Sequence, residues 1–169
     1  GVVGIAKGTL YYHFPSKEEI LNALVLRIVG QVEQRAREIA VSSSPAVDKL
    51  MAIMATMRVK ETETELVEQF HAPGNAEFHL LSITAMIEHL TPVLTDVVTQ
   101  GVREGFFTTS RPYDAIELLL SASGILLDHD ILDTGPDELS RRRNSLIWAT
   151  ETLLGARPGS LSILMEADS

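Results

Sequence analysis

The stretch Gly4-Ile5-Ala6-Lys7-Gly8-Thr9-Leu10-Tyr11-Tyr12-His13-Phe14-Pro15-Ser16-Lys17-Glu18-Glu19 sets how the rest of the chain is read. Ser16 followed three residues later by Glu19 is a helix start, because a serine N-cap and a glutamate at the third helical position satisfy two orphan backbone donors reciprocally. Pro15 ends whatever precedes it, since proline has no N–H to continue a ladder. Before that break, a short helix from about Lys7 to Phe14 puts Leu10 and Phe14 on one face at i, i+4, leaving Lys7, Gly8, Thr9 and Tyr11 on the others. After it, Ile20, Leu21, Leu24, Val25, Ile28, Val32 and Ile39 form one apolar stripe to about Ala40, a long helix stopped by Ser42-Ser43-Ser44.

Working outward, nearly every later segment keeps the 3.6-residue period of a helix. Ser44-Pro45 reads as N-cap and first helical residue of a helix reaching about Lys60, with Val47, Leu50, Met51, Met54 and Met57 as its stripe. Glu61 to Ala72 reads as a shorter helix, acidic on its exposed side. Pro73-Gly74-Asn75 breaks the chain, and Asn75 caps a helix carrying Phe78, Ile83, Met86, Ile87 and Leu90. Pro92 is expected to kink or restart that helix, with a separate piece from Pro92 to Glu104 closed by Gly105. Pro112 opens a segment to about Asp130 that is apolar on almost every face, so it needs partners on all sides. Gly135-Pro136 starts the last helix, and Gly155 closes it. Pro158 to Ser169 reads as a frayed tail. The fold class is all-α, with seven or eight helices.

Composition agrees with a folded chain. The 169 residues are 45% hydrophobic and 22% charged, too apolar for disorder. The absence of cysteine removes disulfides, thiol nucleophiles and Cys-type zinc sites, and suits a reducing cytosol. No secretory leader and no run of about 18 apolar residues is present, so a soluble cytoplasmic protein with no membrane partner is expected. The formal charge of −9, from 14 basic and 23 acidic residues, argues against nucleic acid when taken as a whole. The charge is segregated, however. Two basic residues and no acid fall in residues 1–17, so that segment carries +2 and the remainder −11.

The basic segment has the chemistry to approach DNA. A lysine can reach guanine O6/N7, a threonine methyl suits thymine, and a glycine lets the backbone come close. Tyrosine hydroxyls and Lys17 can hold phosphates. Gly4, then Lys7-Gly8-Thr9-Leu10-Tyr11-Tyr12-His13-Phe14, then Ser16-Lys17-Glu18-Glu19 and Leu21 resemble the recognition helix and following capped helix of TetR-family transcriptional regulators. About a dozen positions agree at fixed spacing. Beyond residue 24 the resemblance is architectural, including the Gly101-to-Phe107 stretch and two closing helices.

The resemblance implies that Lys7, Gly8 and Thr9 face base edges in the major groove. It places Tyr11, Tyr12, His13 and Lys17 along the phosphate backbone, with Leu10 and Phe14 as core. That family has two helices before the glycine turn, whereas only Gly1-Val2-Val3 precede Gly4 here. The first helix and most of the second are therefore expected to be missing, which would leave the recognition helix poorly packed and operator binding by these 169 residues weak. The domains expected are residues 1–40, a partial helix-turn-helix with its connecting helix, and residues 41–169, an effector-binding and dimerisation domain.

In that second domain the resemblance implies a small-molecule pocket and a homodimeric four-helix bundle. Residues 112–154 are the expected interface, with Leu118, Leu119, Ile125, Leu146, Ala149 and Leu153 as contacts and Ser121-Ala122-Ser123-Gly124 allowing close helix approach. Met51, Met54, Met57, Phe70, Phe78, Ile83 and Met86 are candidates to line the pocket, with Arg58, His79 and His89 as polar contacts, although a Met stripe at helical spacing is also ordinary core. No metal site is expected, because His71, His79, His89 and Glu88 match no ligand spacing. Asp128-His129-Asp130 reads as a solvated helix end and Arg141-Arg142-Arg143 as surface or dimer rim. No cofactor motif and no enzymatic signature occurs: G-x-S-x-G, Walker loop, G-x-G-x-x-G and H-E-x-x-H are all absent. The expected function is a transcriptional repressor released from operator DNA by a small-molecule effector. The alternative is a helical ligand-binding or dimerisation module that does not bind DNA.

Overall fold

A computed structural model describes residues 16–58, 76–129, 131–132 and 135–162. The expected recognition helix and the expected helix at 61–72 lie outside these residues, as do Phe70, His71 and the Asn75 cap. Five helices make up the described fold: α1 (Lys17–Ala40), α2 (Ala46–Arg58), α3 (Ala76–Arg103), α4 (Pro112–Leu126) and α5 (Pro136–Leu154). Helix α3 is the hub. It packs against α1, α2 and α4, while α5 rests on α4.

Helix α1 starts where the sequence places it. Ser16 has extended backbone (φ −140°, ψ 161°), and its hydroxyl accepts from the Glu19 N–H at 3.2 Å. Helix α2 is capped differently from the expected serine cap. The Ala46 N–H donates to Glu104 Oε2 at 2.9 Å, so a carboxylate 58 residues away, past the end of α3, serves the first turn of α2.

Pro92 does not restart α3, which runs unbroken for 28 residues. Proline leaves the carbonyl four residues back without its helical donor. Here both Pro92 and Glu88 are exposed, so that carbonyl belongs to the side of the helix that water reaches. The chain then turns through Gly105 (φ 78°) and folds the Phe107 ring back onto Gly101. A Cβ at Gly101 would stand 2.4 Å from a Phe107 ring carbon, so only glycine admits the ring. By length and composition α3 could span a membrane, but its apolar residues form the hub of the core instead.

Two apolar cores result. The larger joins Val32 and Ala36 of α1, Leu50 and Ile53 of α2, Leu90, Val93, Leu94, Val97 and Val98 of α3, and Ile116 and Leu120 of α4. The smaller lies under the first half of α1, where Leu21, Val25 and Val29 meet Phe78 and Ala85. Complete burial of each such side chain contributes roughly 1.5–3 kcal/mol before chain entropy is counted.

After α5, which Gly155 ends in the left-handed conformation (φ 65°), the chain does not fray at once. Leu161 is fully buried in the larger core. The Glu151 carboxylate holds this strap, accepting from the Gly159 and Leu161 N–H groups at 2.9 Å each. Residues 158–162, expected as tail, are therefore part of the fold, and the rest of that stretch lies outside the described residues.

Candidate effector pocket and dimer face

The residues expected to line a pocket separate by position. Met54 and Met57 of α2 are half-buried against the larger core, and Phe78 of α3 is fully enclosed in the smaller one. Met86 packs against both cores. Met51 is half-buried on α2. Ile83 is half-buried as well, pressed against Gly124 of α4 so closely that a Cβ at Gly124 would be 2.8 Å from Ile83 Cγ2. Gly124, part of the small-residue stretch of α4 expected from sequence to let subunits approach, thus lets α3 and α4 come together within the chain. Arg58 ends α2, and its side chain lies outside the described residues.

The two expected polar residues are engaged with acids. His79, only 7% exposed, places Nδ1 2.7 Å from Asp128 Oδ2, with the Phe78 ring edge-on to its imidazole at 5.9 Å. A carboxylate can only accept, so the Nδ1–H of His79 donates. Asp128 Oδ1 also accepts from the Ile131 N–H at 3.0 Å. Asp128 is therefore no solvated helix end: it ties the start of α3 to the exit of α4. His89 donates in the same way to Glu33 Oε2 of α1 at 2.6 Å. Arg37 holds the other Glu33 oxygen at 2.6 Å. The hydrogen bonds from His89 and from Arg37 keep the Glu33 carboxyl below its ordinary pKa. From sequence alone His79 and His89 read as pocket donors, because their acidic partners lie 49 and 56 residues away. Among the described residues no group of three or more His, Asp and Glu side chains is arranged to hold a metal ion.

The apolar face expected on the last two helices is partly exposed in the single chain. Leu118 is 60% exposed and Leu153 39%, while Leu119, Ile125, Leu146 and Ala149 are half-buried. Leu119 packs partly onto the larger core. Tyr113 on α4 and Trp148 on α5 are exposed too, Trp148 at 68%. Sequence reading misses both. A tryptophan three residues after an ambiguous Ser145 has no clear phase, although Ser145, Trp148, Ala149, Thr152 and Leu153 share one helical stripe. Four of the seven exposed large apolar side chains among the described residues are on α4 and α5.

Arg141 and Arg142 both reach Glu138, at 2.6 Å and 3.3 Å, and Arg142 also donates to the Leu126 carbonyl at 3.2 Å. Part of the arginine run thus closes the α4–α5 corner. Arg141 above all, then Arg142, lowers the Glu138 pKa to about 2.

Residues 58–146 match the family described as tetracyclin repressor-like, C-terminal domain. Residues 3–24 match the bacterial regulatory proteins of the tetR family. Over 124 residues the chain is 27% identical to the HTH-type transcriptional repressor KstR2 of Mycobacterium tuberculosis, in strain CDC 1551 / Oshkosh and equally in strain ATCC 25618 / H37Rv. That alignment takes in 67% of this chain and 58% of the relative, so the chain spans less than two thirds of the curated relatives it matches. With a tetR-family match over residues 3–24 and a C-terminal-domain match over more than half its length, the chain belongs to the TetR family of bacterial transcriptional regulators.

Proposed function

We propose that the chain is the regulatory and dimerising part, with the recognition helix, of a cytoplasmic repressor that leaves its operator when a small molecule binds. The carrying observation is an overlap: the matched tetR-family segment, residues 3–24, includes the first turns of α1, from Lys17 to Leu24, and α1 packs along α3. Movement in the cores under α1 therefore reaches the reader directly. In this reading residues 1–40 carry the DNA contacts and residues 41–169 the effector and the second subunit. Lys7, Gly8 and Thr9 read bases, and Tyr11, Tyr12, His13 and Lys17 hold the backbone.

The effector occupies the apolar region that α1 and α2 form against α3, around Met54, Met57, Phe78 and Met86, which methionines can adapt to an apolar molecule. The second subunit covers the exposed face of α4 and α5. A dimer is needed because two recognition helices must meet successive major grooves, about 34–36 Å apart. The reading makes the protein a regulator with no catalytic step and no cofactor.

A gel-shift with the full-length protein and the DNA upstream of its own gene tests this reading. A salt-sensitive shift that Lys7→Ala weakens is expected, since removing a side chain that holds a phosphate or a base lowers affinity. No shift at low salt overturns the DNA-binding reading and leaves a ligand-binding or dimerisation module.

A further inference from the structure

The chain has no cysteine, so the methionine thioether is the side-chain sulfur that an oxidant can meet. Three of its five methionines, Met51, Met54 and Met57, fall within two turns of α2, and a fourth, Met86, is on α3. Their burial follows a pattern. The centre of the larger core is filled by Leu50, Ile53, Leu90, Leu94 and Val97, all buried and all aliphatic. The four methionines are half-buried, so they stand on the rim of the packed interior and not inside it. Met54 and Met57 pack on the larger core from α2. Met86 packs on both cores, the one half-buried side chain among the described residues to do so.

Position on the rim decides two things. Methionine oxidation follows access of the oxidant to the sulfur, so a rim side chain reacts where one at the centre is shielded. The product is then badly placed, because a sulfoxide is polar and the core side of each site offers only apolar neighbours. The oxidised side chain must turn out to water or hold an unsatisfied oxygen against the core. Either way an apolar contact is lost. Helix α2 has little to spare: it is 13 residues long, and Ala46, Leu50 and Ile53 are its only fully enclosed apolar side chains among the described residues. Met54 and Met57 supply much of the rest of its grip on the core.

We propose that Met51, Met54, Met57 and Met86 form an oxidation site, where peroxides convert the thioethers to sulfoxides and so loosen α2 from the core. In each step the sulfur bonds to one peroxide oxygen and gives up two electrons. The O–O bond breaks, and the proton of the transferred oxygen passes to the departing hydroxide, which leaves as water. The modification is reversible, because methionine sulfoxide reductases return the thioether. The inference goes beyond the proposed effector response: it gives these side chains a second, chemical input that acts through a covalent change and not through occupancy.

The test treats the purified protein with hydrogen peroxide and digests it with trypsin, which releases residues 50–58 as one peptide carrying Met51, Met54 and Met57. Mass spectrometry counts the oxygens added there and at Met86. Oxidation of the folded protein within about tenfold of the rate of N-acetylmethionine amide is expected, since reactivity follows exposure. Native hydrogen exchange is expected to become severalfold faster in α2 and to stay unchanged in α5, and a sulfoxide reductase should restore the original rates. In the variant carrying Met51→Leu, Met54→Leu, Met57→Leu and Met86→Leu together, which nearly conserves volume, peroxide is expected to leave α2 exchange unaltered. Should that variant not fold, Met54→Leu with Met57→Leu must respond less than the native protein. Oxidation slower than the tenfold limit, sulfoxides that leave α2 exchange unchanged, or a leucine variant that responds as strongly as the native protein overturns the proposal. No DNA or effector enters these measurements, so a failed gel-shift would refute the regulatory reading and leave the oxidation site standing.

Discussion

At the residue scale the informative groups are acids that tie a loop or a neighbouring helix turn in place. Glu151 accepts two backbone N–H groups from the strap that carries Leu161 into the core. Hydrogen bonds to a charged group contribute about 1.5–3 kcal/mol each, and the two share one carboxylate, so Glu151→Ala should lower stability by about 2–4 kcal/mol. Urea unfolding checks this, and an unchanged midpoint would mean that the strap is held by Leu161 alone. Glu138 offers a pH test. Its folded pKa of about 2 lies below the ordinary 4.5, so its contribution is present above 4.5 and is lost as pH falls towards 2. A carboxyl titration followed by NMR should find its midpoint near 2, and Glu138→Gln should flatten that part of the acid limb. The partners of Glu138, at i+3 and i+4, were readable from helical spacing, as was Arg37 for Glu33; His89 for Glu33, the Ala46 N–H for Glu104 and the strap for Glu151 were not, because each is supplied by another element or a later loop.

At the element scale, local signals worked where a cap or stop is local. Ser16, Gly105, Gly135-Pro136 and Gly155 mark helix ends in sequence and in structure. They failed where the outcome depends on which side of a helix faces water. Pro92 is the clearest case, because a proline on the exposed face frees a carbonyl that water can satisfy, so α3 continues. The break is tolerated rather than harmless. Pro92→Ala restores the donor to the Glu88 carbonyl, and a proline inside a helix costs roughly 3 kcal/mol relative to alanine. Part of that is offset by the unfolded-state entropy that proline removes, about 0.4–1 kcal/mol. A net gain of about 2–2.5 kcal/mol is expected, seen as a higher thermal midpoint; a lower one would show that α3 needs the proline to fit its neighbours.

At the scale of the whole molecule, charge and apolar surface divide the labour. The +2 segment at residues 1–17 is the part proposed to meet phosphates, and the −11 remainder repels them, so an acidic chain and DNA binding are compatible. The apolar surface divides likewise: α4, read in sequence as apolar all round, buries Ala115, Ile116 and Leu120 within the chain and leaves Leu118 and Tyr113 uncovered. Large apolar side chains gathered on the last two helices are the surface a second copy would cover, and a two-fold contact uses the same patch twice. A single charge there would therefore be introduced twice into the proposed contact. Leu118→Glu should convert the proposed dimer to a monomer by light scattering while the far-ultraviolet circular dichroism stays helical, because Leu118 contributes little to the core of its own chain. Ala122→Glu is the weaker companion, since Ala122 is half-buried and can fail for internal reasons. If Leu118→Glu leaves the mass unchanged, the subunits meet elsewhere, and the spacing of the two readers must then be set by a surface other than α4 and α5.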